Sequence, residues 1–322
     1  MNTRILLNIV LAAIVIFLAL ILFYEPGTKK PEPALSPLTS VNPDQIQAIR
    51  VVHNKPHEEI HLERKEEKWF LTTPIHAPAN TSIVETLLSI AETPSYSHYP
   101  AQGLDLVKLG LKPSKARLYL DKLAIDFGMT APLNQRRYVL LGDTVHLIND
   151  AAFHPITSGA PKFVDPALLP GNYPIIELRL PQVTISGGNP NVDIKHTITL
   201  RQDKGQWIAE GIDNPPSSEA IAKLVEAWQQ YTTQQIDLKG NKTVLATIEI
   251  QRKGASPVHL ELLSALPQLV LARSDFGVQY NLPAPAWKTL FQLPQDDGNN
   301  KKSLGNSDKK LQDTIRNKQP DK

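Results

Sequence analysis

The pentapeptide His57-Glu58-Glu59-Ile60-His61 has the residue types and spacing of a zinc peptidase centre. On a helix, two histidines four positions apart share one face, about 6 Å from each other, and the glutamate after the first histidine acts as general base. On a strand the same residues cannot cooperate. At ~3.3 Å per residue, His57 and His61 would stand ~13 Å apart, out of reach of one metal. The period of the segment decides between the two. A second stretch, Lys195 to Leu200, alternates apolar and polar residues and then enters Asp203-Lys204-Gly205, a hairpin turn. The two stretches align: Ile60 precedes Trp69 by 9 positions, and Ile198 precedes Trp207 by 9. The second carries Lys195 and Thr199 where the first carries its histidines. The expectation is a strand, and no catalytic, metal or cofactor-binding residue is assigned. His53, His57 and His61 then form a polar hairpin around the turn Asn54-Lys55-Pro56.

Other chemical signatures are incomplete. Asp-Phe-Gly occurs at Asp126-Phe127-Gly128 and at Asp275-Phe276-Gly277. A kinase also needs a glycine-rich loop, a strand lysine and a His-Arg-Asp loop, and none is present. Both tripeptides are expected at strand-end turns, with glycine supplying the unusual backbone angle. Gly240-Asn241-Lys242-Thr243 lacks the upstream glycine of a phosphate loop. The carboxylate pairs Asp143 with Asp150, and Glu210 with Asp213, match no glycosidase spacing. Trp69 and Trp207 could stack on a ligand, but their equivalent positions favour core anchors.

The elements that position these residues repeat. Residues 60–90 and 198–228 share an alternating run, a charged turn, a strand opened by Trp, and a proline-containing loop, Ala77-Pro78-Ala79-Asn80 and Asn214-Pro215-Pro216-Ser217. An amphipathic helix follows, with apolar faces Ile83, Val84, Leu87, Leu88 and Ile221, Leu224, Val225, Trp228. Ser82 and Glu85 have capping-box spacing. Strands are expected before each hairpin (46–52 and 175–180) and after each helix (116–126 and 137–147; 244–251, 258–263, 269–273 and 278–282). Each copy closes on a short segment with an aromatic, Phe153 or Trp287. The fold class is α+β: an N-terminal transmembrane helix, then two tandem copies of a mainly antiparallel sheet unit with a packed helix.

Residues 5–23 are apolar except for Asn8. They span ~29 Å as a helix, enough for a hydrocarbon core. They lack the small-residue pair of a signal-peptide cut site, so an uncleaved anchor contacting membrane lipid is expected. The organisation reads as anchor 1–24, Pro-rich spacer 25–45, repeat one 46–170, repeat two 171–294, and a disordered basic tail 295–322. The chain holds no cysteine, which excludes disulfides, thiol nucleophiles and cysteine-bound zinc. Its net charge of +2 makes no case for nucleic acid. That charge is a slightly acidic body offset by the tail.

The body resembles the bacterial family catalogued as domain of unknown function 4340. The resemblance rests on Lys68-Trp69-Phe70-Leu71 and Gln206-Trp207-Ile208, Leu109-Gly110-Leu111-Lys112-Pro113, Tyr138 to Asp143, and Phe163 to Leu169, across most of residues 46–294. It implies a single-pass bacterial inner-membrane protein with a periplasmic body and ABC-type exporter components as partners. It implies no catalytic residues. The first reading is therefore a non-enzymatic accessory protein beside a membrane transporter. The second is a periplasmic binding module for envelope polymer or lipid, using a cleft between copies. The third is a metal-dependent hydrolase at His57 and His61.

Overall fold

The computed structural model describes residues 3–24, 35–54, 59–132, 135–151, 153–186 and 189–293. Helix α1 (Thr3–Tyr24) comes first. The next elements are β1 (Ala48–His53), β2 (Glu59–Lys65), β3 (Lys68–Thr73), β4 (Ala77–Pro78), α2 (Thr81–Leu88), β5 (Ser97–Pro100), β6 (Ala116–Leu120), β7 (Leu123–Thr130), β8 (Arg137–Leu141), β9 (Thr144–Ile148) and α3 (Phe153–Ile156). The second half holds β10 (Ile175–Ser186), β11 (Asn189–Asp203), β12 (Gln206–Glu210), α4 (Ser218–Gln230), β13 (Ile236–Leu238), β14 (Ala246–Arg252), β15 (Val258–Ser264), β16 (Leu269–Arg273), β17 (Val278–Leu282) and α5 (Ala286–Phe291). This is α+β architecture with two large antiparallel sheets. Their orders are β4-β3-β2-β1-β6-β7-β8-β9-β5 and β12-β11-β10-β14-β15-β16-β17-β13. With the two-residue β4 set aside, both sheets follow one path. Three meandering strands lead into a helix, the next strand crosses to the far edge, and the remaining four fill the space between.

The period of two explains why these segments pair. In β1, Ile49 and Val51 are buried while Arg50 and Val52 face outward. Ile60 and Leu62, Leu118 and Leu120, and Ile125 and Phe127 continue the buried row on β2, β6 and β7. In the central strands of the second sheet both faces are covered. Leu269 and Leu271 join the main core, while Val270 and Ala272 form a smaller cluster with Leu263 on the reverse side. In α4, Trp228 is fully buried, donates from Nε1 to the Leu290 carbonyl at 2.5 Å, and meets Phe291 edge-on.

A strap of chain binds the two sheets. Phe163 O accepts from Asn80 N–H at 2.8 Å, and Asp165 N–H donates to Pro78 O at 2.9 Å. On the other side, Leu168 N–H donates to Tyr231 O and Pro166 O accepts from Thr233 N–H. Buried Arg273 donates to Leu168 O at 3.1 Å, and Arg252 to Pro170 O at 2.9 Å. Phe163, Val164, Leu168 and Leu169 are buried in a single core cluster that draws on both sheets. Within the strap, the Asp165 Oδ1 accepts from Ala167 N–H at 2.9 Å. Burial raises the Asp165 pKa above the usual aspartate value.

Three local expectations are corrected. The N-cap of α2 is Asn80, whose Oδ1 accepts from Ile83 N–H, and Ser82 lies inside the first turn. Asn80 leads because its own N–H is already held by Phe163 O across the strap, which fixes where the chain turns into helix. The first Asp-Phe-Gly is no turn but part of β7, whereas the second does form the turn between β16 and β17, with Gly277 at φ +69°. Gly128 is needed for close approach instead. A Cβ there would stand 2.5 Å from Leu109 O, which is fixed by the Met129 N–H at 2.9 Å. The proline loop at Ala77-Pro78 pairs with β3 as β4.

The side chains described in α1 are those of residues 10–20, and among the described residues no helix is long and apolar enough to cross a membrane. Residues 25–34 of the spacer 25–45 and the whole tail 295–322 lie outside the described residues, while residues 35–45 lie along the body, with Leu38 buried and its N–H donating to Thr93 O at 2.8 Å.

Two outcomes follow for stability. Gly128→Ala is expected to cost about 2 kcal/mol by overpacking against fixed backbone. Gly240→Ala, with open space around its Cα, should melt within about 1 °C of the parent. Equal melting temperatures for the two would refute the close-approach argument. A carboxyl whose folded pKa is raised is penalised only where it ionises, above its unfolded value. Asp165→Asn keeps the turn acceptor and loses the charge. It should melt higher than the parent at pH 7, with the gap closing as pH falls below the ordinary carboxylate range.

Candidate functional site

The outward rows of β1, β2, β6 and β7 bring charged side chains together. Arg50 stands opposite His61 on one side and Tyr119 on the other. One step along, Val52 stands between Glu59 and Arg117, and Arg117 opposite Asp126. The loop 109–114 closes one end of these rows. The result is a groove of about 460 Å³ whose polar lining includes Arg50, Glu59, Lys112, Ser114, Arg117 and Tyr119.

The cations differ in how far their charge is used. Arg117 grips Asp126 with both prongs of its fork, Nε at 2.6 Å and Nη2 at 2.9 Å. This pairing, with a further contact to the Tyr119 hydroxyl, raises the Arg117 pKa. Arg50 sits over the Tyr119 ring, its Cζ 3.7 Å from the ring centre, and approaches Glu59 only to 4.0 Å. Its guanidinium edge remains open to a ligand. Lys112 makes no ion pair among the described residues. Among the described residues, with Asp126 included, three cations face two carboxylates, a balance suited to an anionic group held by Arg50 and Lys112.

The loop owes its place to two glycines. Gly128 admits the Leu109 carbonyl, and Gly110, at φ +68°, would with a Cβ crowd Met129 Cγ at 2.6 Å. The Leu-Gly-Leu-Lys-Pro segment thus carries Lys112 to the groove because neither glycine has a side chain.

The two described histidines of the hairpin turn to separate partners. His61 lies on β2, where its Nε2 donates to Glu59 at 3.0 Å. His53, at the end of β1, donates to the Ile156 carbonyl at 2.6 Å. His57 and Glu58 lie outside the described residues, as does the turn at Lys55-Pro56. Among the described residues, no group of three or more His, Asp or Glu could hold a metal ion. Trp69 and Trp207 are half-buried against the core, and Trp207 N–H donates to Ser218 Oγ at the start of α4. Glu210 is paired with Arg201 and Asp150 with Arg137, so neither carboxylate stands ready for acid–base work. A wider cavity of about 750 Å³ is bordered by Tyr96, Thr130, Arg136 and Asp150. Its Arg136 is stacked on Tyr96 at 3.6 Å.

Sequence reading singled out the Leu-Gly-Leu-Lys-Pro segment and, with the histidine hairpin, His53 and Asn54 at the groove's border; it passed over Arg50, Tyr119 and Arg117 and read Asp126 only as the start of a turn. The signal available was the outward parity of 50, 117 and 119 within their strands.

Truncations should separate the fixed cation from the open ones. Arg117→Ala strands Asp126, which is only 8% exposed, and is expected to cost about 1–2 kcal/mol, discounted for the half-exposed partner. Arg50→Ala and Lys112→Ala should each stay within about 1 kcal/mol of the parent in urea unfolding. Compared with known proteins, the chain matches no family model, no curated protein and no solved structure.

Proposed function

We propose that this chain is a non-enzymatic, membrane-anchored accessory protein whose body captures an acidic partner. In this reading residues 5–23 hold it in a bacterial inner membrane with the body in the periplasm, and its two sheet units are copies of one ancestor. The single observation that carries the binding role is the groove in which Arg50 is stacked on Tyr119 beside Lys112, with Arg117 fixed by Asp126. A stacked guanidinium is already ordered, so less freedom is lost when an anion binds its open edge. The apolar run 5–23 supports the anchor. The common strand path of the two sheets supports the duplication. The resemblance to the domain of unknown function 4340 family supports a component of an ABC-type exporter as the partner.

A second reading, binding of an anionic envelope polymer or lipid, is favoured by the same cations. The groove lies on the outer face of the first sheet, not in a cleft between the two units. A hydrolase at His57 and His61 has less support, because the strand register sets His61 beside Glu59 and opposite Arg50.

Affinity capture of the full chain from gently solubilised membranes tests the first reading. An ABC permease or ATPase should co-purify. Charge reversal by Arg50→Glu with Lys112→Glu should cut its recovery about tenfold while leaving the melting temperature in place. Recovery of neither component would defeat the exporter reading. Recovery unaffected by charge reversal would remove the groove from it.

A further inference from the structure

The loop that closes the groove also carries the most exposed large apolar side chain among the described residues of the body. Val107 is 68% exposed, Met129 beside it 44% and Leu104 38%. Met129 is held under the loop by the Gly110 contact and by its own N–H to Leu109 O. Backbone hydrogen bonds from Leu106 to Leu104, from Gly110 to Val107 and from Met129 to Leu109 gather these residues on one loop and the strand beneath it, an apolar knuckle. Residues 101–115 hold Lys108, Lys112 and Lys115 against a single carboxylate, Asp105, a balance of 3 − 1 = +2. Lys108 is splayed outward, its side chain 84% exposed even while it pairs with Asp105 at 3.4 Å.

The described body begins at Leu35, eleven residues after Tyr24 ends α1, a covalent reach of at most ~40 Å. Ser36 O accepts from Ser95 N–H, and Leu38 N–H donates to Thr93 O. From Ser95 the chain runs along β5 and enters the knuckle loop at Ala101, whose N–H donates to Asp143 O. Leu104 and Val107 follow Ser95 by 9 and 12 residues, so the knuckle lies at most ~40 Å of chain from the point where the segment from α1 reaches the body. A lipid surface gripped by α1 would be presented to it at high effective concentration.

We propose that Leu104, Val107 and Met129 form a second membrane contact that dips into the interface of an anionic bilayer, with Lys108, Lys112 and Lys115 meeting lipid phosphates. This rests on the reading of residues 5–23 as the anchor. An apolar tip ringed by lysines fits that interface, where the tip leaves water and the ammonium groups stay at headgroup level. The contact would fix the tilt of the body and hold the neighbouring cationic groove close to the membrane, where an acidic loop of a membrane partner emerges.

The absence of native cysteine makes a direct test clean. Full-chain protein carrying Val107→Cys, or Gln202→Cys on exposed β11 as control, is labelled with a polarity-sensitive fluorophore. It is then reconstituted into phosphatidylcholine vesicles with or without phosphatidylglycerol. Doxyl-labelled lipid should quench the label at position 107 at least about twofold in the anionic vesicles, less in the neutral ones, and not at position 202. Flotation of the same samples reports on the anchor separately. Protein that floats with no quenching at 107 overturns the lipid contact alone and leaves the knuckle to a protein partner. Protein that fails to float overturns the anchor and this proposal with it.

Discussion

The strap at residues 163–170 is the constraint on which the rest of the body depends. The polar backbone groups of its buried parts need partners away from water, and most of those found lie on either side of it. Asn80 and Pro78 take one end, while Tyr231, Thr233, Arg252 and Arg273 take the other. A strap satisfied from both sides cannot slide. It sets where α2 begins, because Asn80 is held by the strap before it caps the helix. It also explains a buried arginine. Arg273 enters the core to reach the Leu168 carbonyl and brings its own counter-charge, Asp275, at 2.7 Å.

Once the sheets are fixed, the two-residue period of the strands does the sorting. Each core residue on β1, β2, β6 and β7 forces its neighbour outward, so a single register decides the whole outer face. That is how Arg50 comes to lie on Tyr119, and Arg117 against Asp126. These pairs are separated by 69 and 9 positions respectively, yet each stands directly across one strand gap. A slip of one residue would drive Arg50 and Arg117 into the core.

How much of this was legible in the sequence depends on the range of the forces involved. The alternation around Ile60 and Leu62 placed His61 on a strand, since burial on one face writes a local pattern. The bounds 269–273 and 278–282 match β16 and β17 for the same reason: apolar runs closed by a Gly-containing turn. The cap of α2 was misread because Ser82 and Glu85 carry the right spacing, while the hydrogen bond that selects Asn80 comes from Phe163, 83 residues on. The first Asp-Phe-Gly was misread because glycine signals a turn by its φ, whereas Gly128 answers to a carbonyl from another segment. The crossing strands β5 and β13 left no signal either. They are short, and β5 is largely exposed, so no apolar alternation marks it.

The glycine pair at 110 and 128 joins these two scales. Without side chains there, the loop 104–113 settles directly onto β7 and becomes part of the first sheet's outer face. Its buried Leu111 faces inward while Val107 and Lys112 stay outside. One short segment therefore sets both the cationic end of the groove and the apolar knuckle, and neither can be shifted without the other. On the proposed reading of residues 5–23 as an anchor, such rigid coupling has a use. A single tether leaves the body free to swivel, and a second contact built on the same loop as the groove would give that groove a fixed height and direction above the bilayer.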